Sequence, residues 1–378
     1  MKSNIYVFLL CALLATGCSS QPAQKDTSKT PAVSTNDSSN SSSSPGSLDP
    51  SESGAKDPAA SLEPVSREIF AMDTYMTLTA YGTMAEEALD AAVSEIERLD
   101  ALLSVGNSEG EIFLLNQNKT AVLSEDSKAL LLESLALYDS TDGAFDITIY
   151  PLMEKWGFTT GNYHVPESDV ISSLLKRVDA SQITFDSSSN TIQLPDGVKL
   201  DFGGIAKGYT SQRVMEIFQS YDLTGGIVSL GGNVEACGVK PSASSDQGSL
   251  WHIAVEDPQN PSEYLGILEL TDQAVITSGG YERYFEEDGT TYHHILDPKT
   301  GYPANAGLTS VSIISSDGML ADGLSTSLFI MGKEKAIQYW REHSDEFEMI
   351  LVEEDGTISI SSGLEKQFDS ERSYEIIS

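Results

Sequence analysis

Residues Leu200 to Tyr209 read L-D-F-G-G-I-A-K-G-Y, which places an acid, two adjacent glycines and a lysine within a single short stretch. The segment before it, V-K-L-D-F, alternates like a strand. After it the apolar positions Val214, Ile217 and Phe218 recur at helical spacing. Gly203 and Gly204 are therefore expected in a strand-to-helix turn, where glycine lets a ligand approach the main chain and leaves amides and carbonyls exposed. A helix amino terminus beside Lys207 favours an anionic phosphate, and Asp201 is placed to bind a sugar hydroxyl or a base edge. The stretch is neither G-x-G-x-x-G nor a P-loop, so it specifies chemistry only together with other segments.

Residues 1–17 carry one lysine, an apolar run from Ile5 to Leu14, and then A-T-G directly before Cys18. The apolar core is too short to span a bilayer as a helix and reads as an export signal. Small residues leading into a cysteine look like a lipoprotein cleavage box, with Cys18 as the acylated first residue of the mature chain. Residues 18–66 are rich in Ser, Pro, Asp and Asn with almost no large apolar side chain, a composition expected to stay an unstructured tether. Residues 67–378 are expected to form one α+β domain, mainly antiparallel strands flanked by helices.

The formal net charge of −35 argues against nucleic acid as a partner, which requires clustered Lys and Arg. Beyond the signal and Cys18, Cys237 stands alone, so no intrachain disulfide is expected. Along the folded part, Glu68–Tyr81 alternates as a strand, and Ala85–Ser104 carries Leu89, Val93, Ile96, Leu99 and Leu103 as an amphipathic helix. A helix from Lys128 to Tyr138 precedes D-G-A-F-D-I-T, in which Trp156 downstream reads as core. A buried strand follows at 225–233, with further strands near 250–256, 265–270 and 274–277. Tyr281–Ile295 has the form of a hairpin turning at Asp288-Gly289; since strand side chains alternate, His293 and His294 face opposite sides. A strand at Thr309–Ile314, helices at Met319–Met331 and Lys335–Glu342, and a closing hairpin at Asp355-Gly356 complete the chain.

The helix near Met319 contains A-D-G-L-S-T, with Asp322 and Thr326 four apart on one face and Ser325 one turn along from Asp322. Together with a free carbonyl in the Gly203-Gly204 turn they make an all-oxygen set suited to Mg²⁺, which usually keeps waters and borrows substrate phosphates.

The ordered series L-D-F-G-G-I-A-K-G-Y, A-V-I-T-S-G-G-Y-E-R-Y-F, H-I-L-D-P-K-T-G-Y-P and A-D-G-L-S-T, with D-G-A-F-D-I-T upstream, resembles the ApbE flavin-transferase family over essentially the whole folded region. The resemblance implies an exported, Mg²⁺-dependent FAD:protein FMN transferase that cleaves the FAD pyrophosphate and moves FMN onto a threonine of another protein, releasing AMP. By the same resemblance Gly204 (through its carbonyl), Asp322, Ser325 and Thr326 are metal ligands. Met72, Ala144, Phe145, Asp146, Asp201, Lys207 and Leu296 are FAD contacts, and His294 is the general base. The acceptor threonine of the family lies in a [DS]-G-[AS]-T-like segment. Here Ser53-Gly54-Ala55-Lys56 has lysine at the threonine position and Asp288-Gly289-Thr290-Thr291 has the wrong residue after glycine, so the acceptor is expected to be another exported or membrane protein. The alternatives are FAD hydrolysis to FMN and AMP, and flavin binding without chemistry. The expected location is the extracytoplasmic face of the membrane, held by the lipid on Cys18.

Overall fold

The computed structural model describes residues 63–242 and 245–378. The expected signal and Cys18 lie outside the described residues, as does most of the tether. Regular structure starts at Val65, two residues before the expected boundary at 67.

Helix α1 (Ala85–Leu103) buries Ala88, Leu89, Ala92, Ile96, Leu99 and Leu103, the stripe that its three- and four-residue spacing dictates. In chain order there follow α2 (Glu111–Asn118), α3 (Glu125–Ser140), α4 (Tyr150–Trp156), α5 (Ser168–Leu174), α6 (Ala206–Ser220), α7 (Gly318–Met331) and α8 (Lys333–Glu342). Among the described residues none is long and apolar enough to cross a membrane.

The scaffold is a nine-stranded sheet in the order 65–71, 74–81, 225–230, 233–238, 273–279, 308–315, 348–353, 358–361, 375–377. Every neighbouring pair is antiparallel except the last, which is parallel. Its central strands are buried on both faces, and the two faces feed different cores. Ala274, Ile276, Val311, Ile313, Met349 and Leu351 pack with Leu324 and Leu328 of α7. The alternate residues Val275, Ile314, Ile350 and Val352 pack against Trp251, Ile253 and Leu268 of a small sheet formed by 251–256, 264–270 and 368–369. Helices α1 and α6 cover the first strands through Leu89, Ile96, Val214 and Phe218. The α+β, mainly antiparallel architecture expected from the sequence is the one found.

Two local expectations are corrected. Glu68–Tyr81 is not one strand: it is split into a hairpin, 65–71 and 74–81, at the two-residue turn Met72–Asp73. Both turn residues have left-handed φ, +49° and +59°, the backbone of a hairpin turn that usually contains glycine or asparagine. Asp73 is a turn residue of that kind, but with methionine before it and no glycine the signal is weak.

The V-K-L-D-F segment, expected as a strand, pairs with none. Instead the Asn116 side chain of α2 takes the place of a neighbouring strand: its Nδ2 donates to the Leu200 carbonyl at 2.8 Å and its Oδ1 accepts from the Leu200 N–H at 2.7 Å. Lys119 Nζ donates to the Val198 carbonyl at 2.9 Å and the Asp201 N–H to the Ile147 carbonyl at 2.9 Å. The extended backbone is thus satisfied without a ladder, as buried polar groups require. Asn116 and Leu200 are both buried, so Asn116→Ala leaves a donor and an acceptor unpaired. We expect a loss of about 2–4 kcal/mol in unfolding free energy, read from urea denaturation; a change under 1 kcal/mol would show that water replaces the amide.

Candidate active site

The turn that follows Leu200 is tightly closed. Asp201 Oδ1 accepts the Gly203 N–H at 2.9 Å, and the N–H groups of Ile205 and Ala206 return to the Phe202 carbonyl at 2.9 and 2.8 Å. Helix α6 then begins, and within its first turn the N–H of Gly208 points out to Asp322 Oδ2 on α7 at 2.8 Å. Only glycine allows this crossing, because a Cβ on residue 208 would stand 2.1 Å from the Gly318 carbonyl oxygen. Since the Gly208 N–H goes to Asp322, the Gly204 carbonyl four residues back accepts no hydrogen bond.

Asp322 is 3% exposed. One of its oxygens is fixed by Gly208 and faces the amino-terminal turn of α6, where a carboxylate is favoured; the other accepts no hydrogen bond. Ser325 Oγ donates to the Asp322 carbonyl at 2.8 Å. Ser278, on the 273–279 strand, lies 2.8 Å from Ser325 Oγ and 3.2 Å from Thr326 Oγ1, tying the three hydroxyls together.

Among the described residues no three His, Cys, Asp or Glu side chains cluster as a metal site. A cation here would therefore take one carboxylate oxygen, hydroxyl and carbonyl oxygens, and complete its shell from water or substrate. That donor chemistry fits Mg²⁺. The half-partnered buried carboxylate and the unpartnered Gly204 carbonyl are the groups that such an ion would satisfy.

His294 follows the second arm of the hairpin 284–287/290–293. Its Nδ1 lies 3.2 Å from the Arg283 carbonyl, and as a carbonyl can only accept, Nδ1 carries the proton and Nε2 presents a lone pair. Burial pushes its pKa down to about 3, helped by the Arg283 cation, with smaller contributions from Lys207 and His293. The imidazole is thus neutral at physiological pH. His293 faces the other way, as strand alternation dictates: its Nε2 donates to the Ala304 carbonyl at 2.9 Å and its ring packs edge-on to Phe329.

The charges that act on one another outline the cleft. Glu282 stays open to solvent, yet the protein around it raises its carboxyl to about 7, against the opposing pull of Lys207, with Asp322 adding to the rise. Burial also raises Asp201, opposed by its Gly203 hydrogen bond and Arg283 and reinforced by Asp73. The Asp201 turn, the Met72–Asp73 hairpin tip, the start of α7 and the His294 hairpin therefore border the same space.

Of the FAD contacts expected from the sequence, Asp201 and Lys207 lie on this cleft. Met72 joins it through α6: Thr210 Oγ1 donates to its sulfur at 3.7 Å. Phe145 approaches Gly204, with its ring edge 3.2 Å from where a Cβ on that glycine would stand. Ala144 is buried beside it. Asp146 is spent on its own chain: Oδ1 accepts from Thr148 N and Oγ1 at 2.8 and 2.6 Å, and Oδ2 from Ala180 N at 3.3 Å. Leu296 is buried with Trp156 and Phe158. Sequence reasoning did not single out Ser278, Gly208 or Arg283, although all three stand inside motifs quoted above; the partners of Ser278 and Gly208 are too far along the chain for spacing to reveal, whereas the hairpin turning at Asp288-Gly289 sets Arg283 opposite His294.

A family model described as the ApbE family matches residues 72–351. The FAD:protein FMN transferase of Klebsiella pneumoniae (strain 342) is 32% identical over 299 residues, 77% of this chain and 91% of that protein. The protein of the same name from Treponema pallidum (strain Nichols) is 28% identical over 322 residues, 81% of this chain and 89% of its own length. Among solved structures, the ApbE protein of Thermotoga maritima superposes with a TM-score of 0.74 at 33% identity, covering 80% of this chain and 98% of that one. The apo form of Pseudomonas stutzeri flavinyl transferase ApbE gives 0.71 at 27% identity, covering 81% and 97%. The class defined here is an α+β protein with an oxygen-lined helix crossing opposite a neutral histidine. This chain belongs to the ApbE family.

The depressed pKa of His294 has a signed consequence. Between its folded value near 3 and the ordinary value of 6.5 the unfolded chain binds the extra proton, so this group withdraws stability as pH falls from 6.5 toward 3. His294→Gln should flatten the fall of unfolding free energy between pH 6.5 and 4.5 relative to the parent, measured by urea denaturation across pH. Parallel curves would mean that the imidazole is protonated as easily folded as unfolded.

Proposed function

We propose that the protein is a Mg²⁺-dependent FAD:protein FMN transferase that joins FMN to a threonine of an exported or membrane acceptor through a phosphoester bond and releases AMP. The observation that carries this reading is the α6–α7 crossing, where the Gly208–Asp322 hydrogen bond leaves the Gly204 carbonyl and one Asp322 oxygen unpartnered. The similarity to relatives named FAD:protein FMN transferase supports it independently.

In this reading the unprotonated Nε2 of His294 takes the proton from the acceptor threonine Oγ. That oxygen forms a bond to the FMN phosphorus of FAD, the bond from that phosphorus to the bridging oxygen breaks, and AMP leaves with the electron pair. A threonine hydroxyl is a poor nucleophile at neutral pH, so a fixed neutral base is the group it lacks. Lys207 and the first-turn amides of α6 act on the anionic pyrophosphate. Held by Asp322, Thr326 and the Gly204 carbonyl, with Ser325 beside them, Mg²⁺ supplies charge neutralisation at the phosphate oxygens. Asp201, Met72 and the Ala144–Asp146 segment, together with Leu296, are proposed to bind the rest of FAD. The lipid anchor at Cys18 and the extracytoplasmic location belong to the same proposal.

The test is intact-mass analysis of the soluble part incubated with FAD, Mg²⁺ and a peptide containing D-G-A-T, with AMP followed in parallel. FMN is expected on the peptide threonine and not on the chain itself. Asp322→Ala or chelation of the metal should lower the rate by about a hundredfold or more. AMP formed without peptide modification would replace transfer by hydrolysis, and neither product with FAD bound would leave a binding protein.

A further inference from the structure

Arg283 contacts the His294 environment in two separate ways. Its carbonyl accepts both the His294 main-chain N–H at 3.0 Å and the imidazole Nδ1–H at 3.2 Å. Its guanidinium Nη2 donates to the Phe158 carbonyl at 2.6 Å. Phe158 is buried, and its ring stands edge-on to the imidazole, with centroids 6.4 Å apart at 67°. The same ring packs on Phe285 of the hairpin at 5.8 Å. The side chain of Arg283 therefore holds the wall on which the imidazole leans, while its main chain selects the proton-bearing nitrogen. Burial and the charges of Arg283, Lys207 and His293 disfavour protonation of His294, while the hydrogen bond to the Arg283 carbonyl favours it.

We propose that Arg283 is the positioning residue of His294: its carbonyl selects the Nδ1–H tautomer, and its guanidinium, by clamping the Phe158 carbonyl to the hairpin, holds the ring against that carbonyl with Nε2 free to accept the threonine proton. The proposal rests on the transferase reading for the role of that proton, but not for the tautomer. In the better known arrangement a carboxylate orients a catalytic histidine and stabilises its protonated form. Here the orienting acceptor is a neutral carbonyl, and burial together with the Arg283 cation holds the base unprotonated in the free site. The incoming pyrophosphate brings the negative charge that offsets this.

The experiment is NMR of the ¹⁵N-histidine-labelled folded region without FAD, in which His294→Gln identifies the resonance among the five histidines of the chain. The parent is expected to show one tautomer, Nδ1–H, with no titration between pH 5 and 8. Arg283→Met should mix the tautomers and bring the titration of His294 up into that range. Arg283→Gln, which keeps a donor for the Phe158 carbonyl without the charge, should retain the tautomer while the titration rises. An unchanged tautomer and titration in Arg283→Met overturns the proposal; if that variant does not fold, an unchanged titration in Arg283→Gln does so. With FAD, Mg²⁺ and acceptor peptide, Arg283→Met should lower kcat on the order of tenfold to a hundredfold with KM for FAD within about threefold. A KM raised tenfold or more at unchanged kcat would instead make the guanidinium a substrate-binding cation and overturn the positioning role. If the parent consumes no FAD, the transferase reading falls, while the tautomer result is decided separately by the spectra.

Discussion

The hydrogen bond from the Gly208 N–H to Asp322 Oδ2 is the constraint around which the site is built. It requires α6 and α7 to touch backbone to backbone, which in turn requires glycine at 208, with Gly318 as the facing residue. It gives a partner to one of the first-turn amides that α6 would otherwise leave unpaired, while the Gly204 carbonyl just before the helix accepts no hydrogen bond. A helix normally leaves its first amides unpaired and its carbonyls satisfied. Here one of those amides is satisfied by Asp322 and the Gly204 carbonyl just ahead of the helix is open, so a helix start that favours an anion also suits a cation beside it. A metal–pyrophosphate pair has that character.

The opposite wall is made differently. His294 is held by main-chain and aromatic contacts rather than by an acidic partner, and its neighbours keep it neutral. The acids of the cleft, Asp201 and Glu282, are both pushed toward protonation by their surroundings. Lys207 and Arg283 stand among these acids and oppose the rise of their pKa values, although the chain as a whole has a formal charge of −35. With these cations on its border, the cleft can receive an anionic dinucleotide at a smaller electrostatic cost than the overall charge suggests.

Much of this was legible in the residues. Helical spacing located α1 and α7, the Asp288-Gly289 turn located the histidine hairpin, and alternation separated His293 from His294 correctly. What failed did so for a physical reason. Period-two alternation reports which way side chains point and not whether a neighbouring strand exists, so the segment ending at Phe202 looked like a strand although a side chain 84 residues away supplies its partner. The Met72–Asp73 turn was missed because its left-handed backbone is imposed by the pairing of both arms. Ser278 was missed because one hydroxyl in a strand says nothing about the two on α7 that it bridges.

The sheet order places the first strand, beginning at Val65, on one border and the last strand, ending at Ile377, on the other. With about 4.8 Å between neighbouring strands, eight intervals separate the two by roughly 38 Å. Joining the ends to make a circular permutant would therefore take a flexible connector on the order of fifty residues at its natural span. The folded part is thus a poor subject for cyclisation.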